Sequence, residues 1–86
     1  MTELSRFFGI VIVMYWKEHG VPHFHAKYAG QRASFSIDGL KLLEGHLPPR
    51  VTALVLEWAF LHRDELQKNW DRAMAKKPLK PIAPLE

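Results

Sequence analysis

The chain has no cysteine among its 86 residues. That excludes a disulfide framework, a thiolate metal site and a cysteine nucleophile, and it suits a reducing compartment such as the cytoplasm. Long hydrophobic runs are missing too. The longest, Phe7 to Trp16, has ten residues, about half of the roughly 20 needed to cross a bilayer. No basic stretch followed by an apolar core and a small-residue cleavage site opens the chain, so no secretory signal is expected. There is no internal repeat or low-complexity segment, and no glycine-rich phosphate loop, Gly-x-Ser-x-Gly elbow or His-Glu-x-x-His helix. A soluble cytoplasmic protein without a membrane partner is the expectation.

What the chain does contain is ordinary globular material, 48% hydrophobic and 24% charged. Its length supports one domain with a single modest core. The net charge of +3 leans towards an acidic partner such as nucleic acid. The lean is mild, because Lys76, Lys77 and Lys80 sit near the C-terminus, where they also serve to keep a tail solvated.

The densest chemistry lies in Pro22 to Tyr28, Pro-His-Phe-His-Ala-Lys-Tyr. In a strand His23, His25 and Lys27 point to one face, and Phe24, Ala26 and Tyr28 to the other. Two imidazoles about 7 Å apart on one strand face admit three readings. They can be plain surface histidines, two ligands of a zinc ion, or an acid and a base working near neutrality. RNA cleavage needs a base for the 2′-hydroxyl, an acid for the leaving oxygen and a cation for the developing charge. His23, His25 and either Lys27 or Arg32 offer those roles without a metal. A zinc site needs a third ligand, with His19, His46, Asp38 and Glu18 as candidates and His19 taken with the pair.

The elements around this stretch follow from periodicity and breakers. Met1 to Arg6 reads as a polar lead-in and Phe7 to Tyr15 as a central strand apolar on both faces. Trp16 to Pro22 turns the chain. His23 to Ala29 and Arg32 to Ile37 form a hairpin. A type II′ turn at Gly30-Gln31 would pair Ala29 with Arg32 and put Asp38 opposite His23, where its carboxylate would orient the ring. Lys41 to Leu47 supplies a short fourth strand. Proline suits a helix first turn, so a single helix is expected from Pro49 to Ala73 or Ala75. Its inward stripe is Val51, Leu54, Val55, Trp58, Ala59, Leu61, His62 and Leu66, continued by Glu65 and Asn69, with His62 expected to be a hydrogen-bonded structural residue. The tail, with three prolines from Lys77 to Glu86, is extended. The expected fold is α+β: a three- to four-stranded antiparallel sheet over residues 1–47, one long helix in 48–75, and a tail over 76–86 strapped across a single domain.

A second helix stripe, Leu56, Phe60, Trp70 and Met74, lies off the main core face. With Leu79 and Ile82 of the tail it would form a docking surface for a partner protein or a second copy of the chain, or else it packs under the tail.

Several blocks together resemble a known family. They are Gly9-Ile10, Met14-Tyr15-Trp16 with Glu18-His19, Pro22 to Tyr28, and Glu44-Gly45 followed by Leu47-Pro48. Glu57-Trp58-Ala59, Leu61-His62-Arg63, Glu65-Leu66, Asn69-Trp70 and Pro84-Leu85 complete the set. In these the chain resembles the small bacterial proteins grouped as domain of unknown function 4160, with Val21-Pro22 where Pro-Pro is common. The resemblance implies the toxin half of a type II toxin–antitoxin pair whose cognate antitoxin comes from another small family. It implies no reaction. The residues themselves suggest a metal-independent endoribonuclease. A non-enzymatic protein- or DNA-binding module and a zinc-dependent hydrolase are the alternatives.

Overall fold

The computed structural model describes residues 2–16 and 18–86; Met1 of the lead-in and Lys17 of the turn lie outside them. The chain is α+β in kind, as expected, but the architecture differs from the expected one in its sheet and its helices. Five strands, β1 (Thr2–Phe7), β2 (Ile10–Met14), β3 (His23–Tyr28), β4 (Gln31–Ser36) and β5 (Leu42–Gly45), form one antiparallel meander in sequence order. Two helices follow, α1 (Pro49–Leu61) and α2 (Arg63–Met74).

The supposed lead-in is an edge strand. Phe8 and Gly9 both take positive φ, 49° and 79°, so the apolar run from Phe7 turns back on itself between β1 and β2. The run apolar on both faces thus proves to be the last residue of β1, a two-residue turn and β2. Leu4, Ile10, Ile12 and Met14 then enter the core.

The β3–β4 hairpin turns one position earlier than expected. Ala29 and Gly30 carry positive φ, 48° and 82°, which is the signature of a type I′ turn and matches the right-handed strand twist. His23 pairs with Ser36, His25 with Ser34 and Lys27 with Arg32. Each partner moves by two residues, so the faces are kept while the neighbours change. Ile37 N–H still closes the hairpin on Pro22 O at 3.0 Å. Asp38 falls beyond the strand, exposed in the following turn.

The helices cover the face bearing Phe24, Ala26 and Phe35. Phe24 stacks on Phe35 at 5.7 Å between centroids and meets Trp58 edge-on at 6.1 Å. All three rings are fully buried, each worth roughly 1.5–3 kcal/mol of burial. The expected single helix breaks at His62, whose φ of −119° leaves helical geometry and whose N–H is shared between Trp58 O and Ala59 O. One helix over 49–75 would be about 40 Å long at 1.5 Å per residue, against a longest molecular dimension of 33 Å. The break keeps both halves on the sheet. Asp64 and Glu65 then start α2 and Arg72 ends it, each suiting the helix dipole there.

The tail is extended and fastened by hydrogen bonds. Ile82 N–H donates to Leu4 O at 2.8 Å, beside the β1 bulge, and Trp58 Nε1–H donates to Ala83 O at 2.8 Å. Buried Asn69 grips Lys80 on both backbone groups: its Nδ2 donates to the carbonyl, and its Oδ1 accepts from the amide. Two of the six expected docking residues are therefore core. Trp70 is 6% exposed and Ile82 4%, while Leu56 and Leu79 are half-buried against that core. Trp70 lies with Leu66, Asn69 and Ala73 on the buried side of α2, and the tail covers what the wheel left open. Phe60 and Met74 remain exposed.

Candidate functional site

The site lies on the sheet face away from Phe24 and Phe35. Strand pairing sets Val13, His25, Ser34 and Glu44 in one row across β2 to β5. The next row carries Arg6, Val11, Lys27 and Arg32 across β1 to β4. Arg6 is paired to Glu3 at 2.8 Å at the margin, and this hydrogen bond holds the Glu3 carboxyl below its ordinary range. Lys27 and Arg32 sit directly opposite one another, which puts two cationic side chains side by side on this face.

The loop after β2 folds over this face and delivers Glu18. One Glu18 oxygen lies 2.8 Å from His25 Nε2, and the other lies 3.6 Å from His23 Nε2. A single carboxylate thus serves both imidazoles. His23 donates its Nδ1–H to Val21 O at 2.7 Å, which leaves Nε2 as the ring nitrogen that faces Glu18. The rings are held from both sides. Tyr15 meets His25 edge-on at 4.6 Å, Trp70 leans on His23 at 5.1 Å, and the two imidazoles are 5.2 Å apart.

Beside the cluster opens a cleft of about 420 Å³. His25, Glu18 and Tyr15 line it, with Arg32, Ser34 and Glu44 across β4 and β5. Of the expected site residues, the structure brings His25 and Arg32 into one cleft and His23 into contact with His25. Lys27 shares their face, in the row beside His25. Asp38 is not with them: the hairpin register puts Ser36 opposite His23, and Glu18 faces the ring where Asp38 was expected. His19 is exposed and is not among the clustered ligand atoms of Glu18, His23 and His25. Glu18 takes the place given to His19.

Glu18 was legible as one of four third-ligand candidates, within the turn that leads into the histidine strand. Nothing in the sequence ranked it first. Tyr15 and Trp70 as the walls of the two rings had no signal, because both contacts depend on how the loop and α2 return to the sheet. His62, which shares the His-Glu pairing, is a separate case: its Nδ1–H donates to Glu65 at 2.6 Å on the helix side.

Among the described residues no helix is long and apolar enough to cross a membrane. The family described as Domain of unknown function (DUF4160) matches residues 9–71, a span holding every side chain of the histidine cluster and of the cleft. No curated protein and no solved structure matches significantly.

Proposed function

The chain belongs to the DUF4160 family, and from that premise we propose that it is the toxin of a bacterial toxin–antitoxin pair that cleaves RNA at the His25–Arg32 cleft. The observation that carries the chemistry is the meeting of His25, oriented by Glu18, with Arg32 in one cleft. Arg32, with Lys27 beside it, binds the phosphate, and a fork of guanidinium donors matches two phosphate oxygens. The Glu18–His23–His25 cluster takes the proton from the attacking 2′-oxygen as the new P–O bond forms, and returns a proton to the leaving oxygen as the old P–O bond breaks. Ordering by strand pairing and by the two aromatic walls keeps the cluster in place before substrate arrives. The toxin role rests on the paired arrangement that the family resemblance implies, and the cognate antitoxin is its partner.

Expression of the chain alone tests this reading, followed by incubation of the pure protein with a mixed-sequence RNA. Growth arrest and cleavage are expected. His25→Ala and Glu18→Gln should each lower the cleavage rate about 10²- to 10⁴-fold. Arg32→Ala should raise KM, while His19→Ala and Asp38→Asn leave the rate unchanged. Growth arrest at full strength in His23→Ala and His25→Ala would sink the reaction and leave a toxin that acts by binding.

A further inference from the structure

Two atoms in the cluster call for a positive centre between them. His23 gives its Nδ1–H to Val21 O, so its other ring nitrogen, Nε2, is the one that faces a Glu18 carboxylate oxygen, at 3.6 Å. Either a second proton or a metal cation resolves that arrangement. We propose that Glu18, His23 and His25 bind one divalent transition-metal ion of the zinc class. In what the ion does, the inference rests on the reading above; that it binds stands on the ligand geometry alone.

The three ligand atoms lie within 4.8 Å of one another. A tetrahedral ion with bonds of about 2.0–2.1 Å needs its ligands about 3.4 Å apart, so side-chain rotation suffices to close the shell. The backbone behind the histidines is held by strand pairing, His25 on both sides to Val13 and Ser34 and His23 on one side to Ser36. The bond from His23 Nδ1 to Val21 O is the kind of support that metal-bound histidines use to fix tautomer and ring angle. Two imidazole nitrogens and one carboxylate suit zinc and its neighbours, whereas magnesium and calcium favour oxygen ligands throughout. Three protein ligands leave a position open, and Glu18 and His25 both line the cleft. An ion so held supplies a bound water acidic enough to be the basic group at neutral pH.

The test is zinc titration by calorimetry of protein first dialysed against chelator, with cobalt absorption as a second probe of four-coordinate geometry. One ion per chain with a Kd near or below about 1 µM is expected. Glu18→Gln and His25→Ala should each weaken binding about 100-fold or more, and His19→Ala should not. Saturating zinc should also raise the Tm of the wild type by about 10 °C, but not that of Glu18→Gln. If His25→Ala fails to fold, Glu18→Gln, which keeps the side-chain shape, carries the comparison. No binding at 100-fold above that concentration, or equal binding by Glu18→Gln, overturns the proposal. Zinc bound without RNA cleavage keeps the metal site and sinks the RNA reading. Full cleavage by metal-free protein that takes up no zinc does the reverse.

Discussion

Asn69→Ala is the most informative single change outside the site. Asn69 is 1% exposed, and its amide makes three contacts of 2.9 Å: to Lys80 O, from Lys80 N–H, and from Arg72 Nη1. Alanine removes all three and leaves the Lys80 backbone groups to find water. Each neutral bond is worth about 1 kcal/mol net, and the partly exposed Arg72 contact adds less, so a loss of about 2–3 kcal/mol is expected. For a domain of this size that is a drop in Tm of roughly 10–20 °C. Urea denaturation followed by tryptophan fluorescence measures it directly, because Trp58 and Trp70 are both buried. Asn69→Asp keeps the acceptor but sets a carboxylate oxygen against Lys80 O in a buried site, so it should cost more than the loss of one donor, at least about 2 kcal/mol. The cause is tested by a chain ending at residue 79. There the clamp has nothing to hold, and Asn69→Ala should cost at least about 1 kcal/mol less than in the full chain, a coupling within reach of a double-mutant cycle. Equal costs in both backgrounds would refute the clamp. So would a full-chain loss below about 0.5 kcal/mol, which is the range of an ordinary surface substitution.

Two further outcomes follow from the same packing. Gly45 has φ of 82°, and a Cβ there would lie 2.2 Å from Arg32 O; Gly45→Ala should therefore destabilise by about 2 kcal/mol or more, read by thermal melting. Phe60 is 67% exposed on the outside of α1, so Phe60→Asp should leave Tm within a few degrees while weakening antitoxin binding measured by calorimetry; a collapse of Tm with unchanged binding would place this ring in the core instead.

The alternation of His23, Phe24, His25, Ala26 and Lys27 is a backbone property, since successive strand residues face opposite ways whatever surrounds them. The sequence alone therefore determined that two histidines and a lysine share a face opposite the core, that Pro49 opens a helix, and that a chain with three tail prolines ends extended. It did not determine the number of strands. A continuous apolar run from Phe7 reads as one buried strand unless Phe8 and Gly9 are known to take positive φ. Nor did it determine the hairpin register, because Gly30 fits either position of a tight turn. The two registers differ by two residues, keep the same faces, and so look identical to a hydrophobic pattern. That ambiguity is why Asp38 was placed against His23 and Ser36 was not. The helix wheel failed at His62 for a related reason: the buried positions keep a helical period across the break, so only the size of the sheet beneath shows that one straight helix does not fit. Tertiary structure alone decided the partner of the histidines. Glu18 reaches them from a loop, and a loop's path is set by its tertiary contacts, in this case Glu18 against both imidazoles and Val21 O on His23, rather than by any period in its own residues.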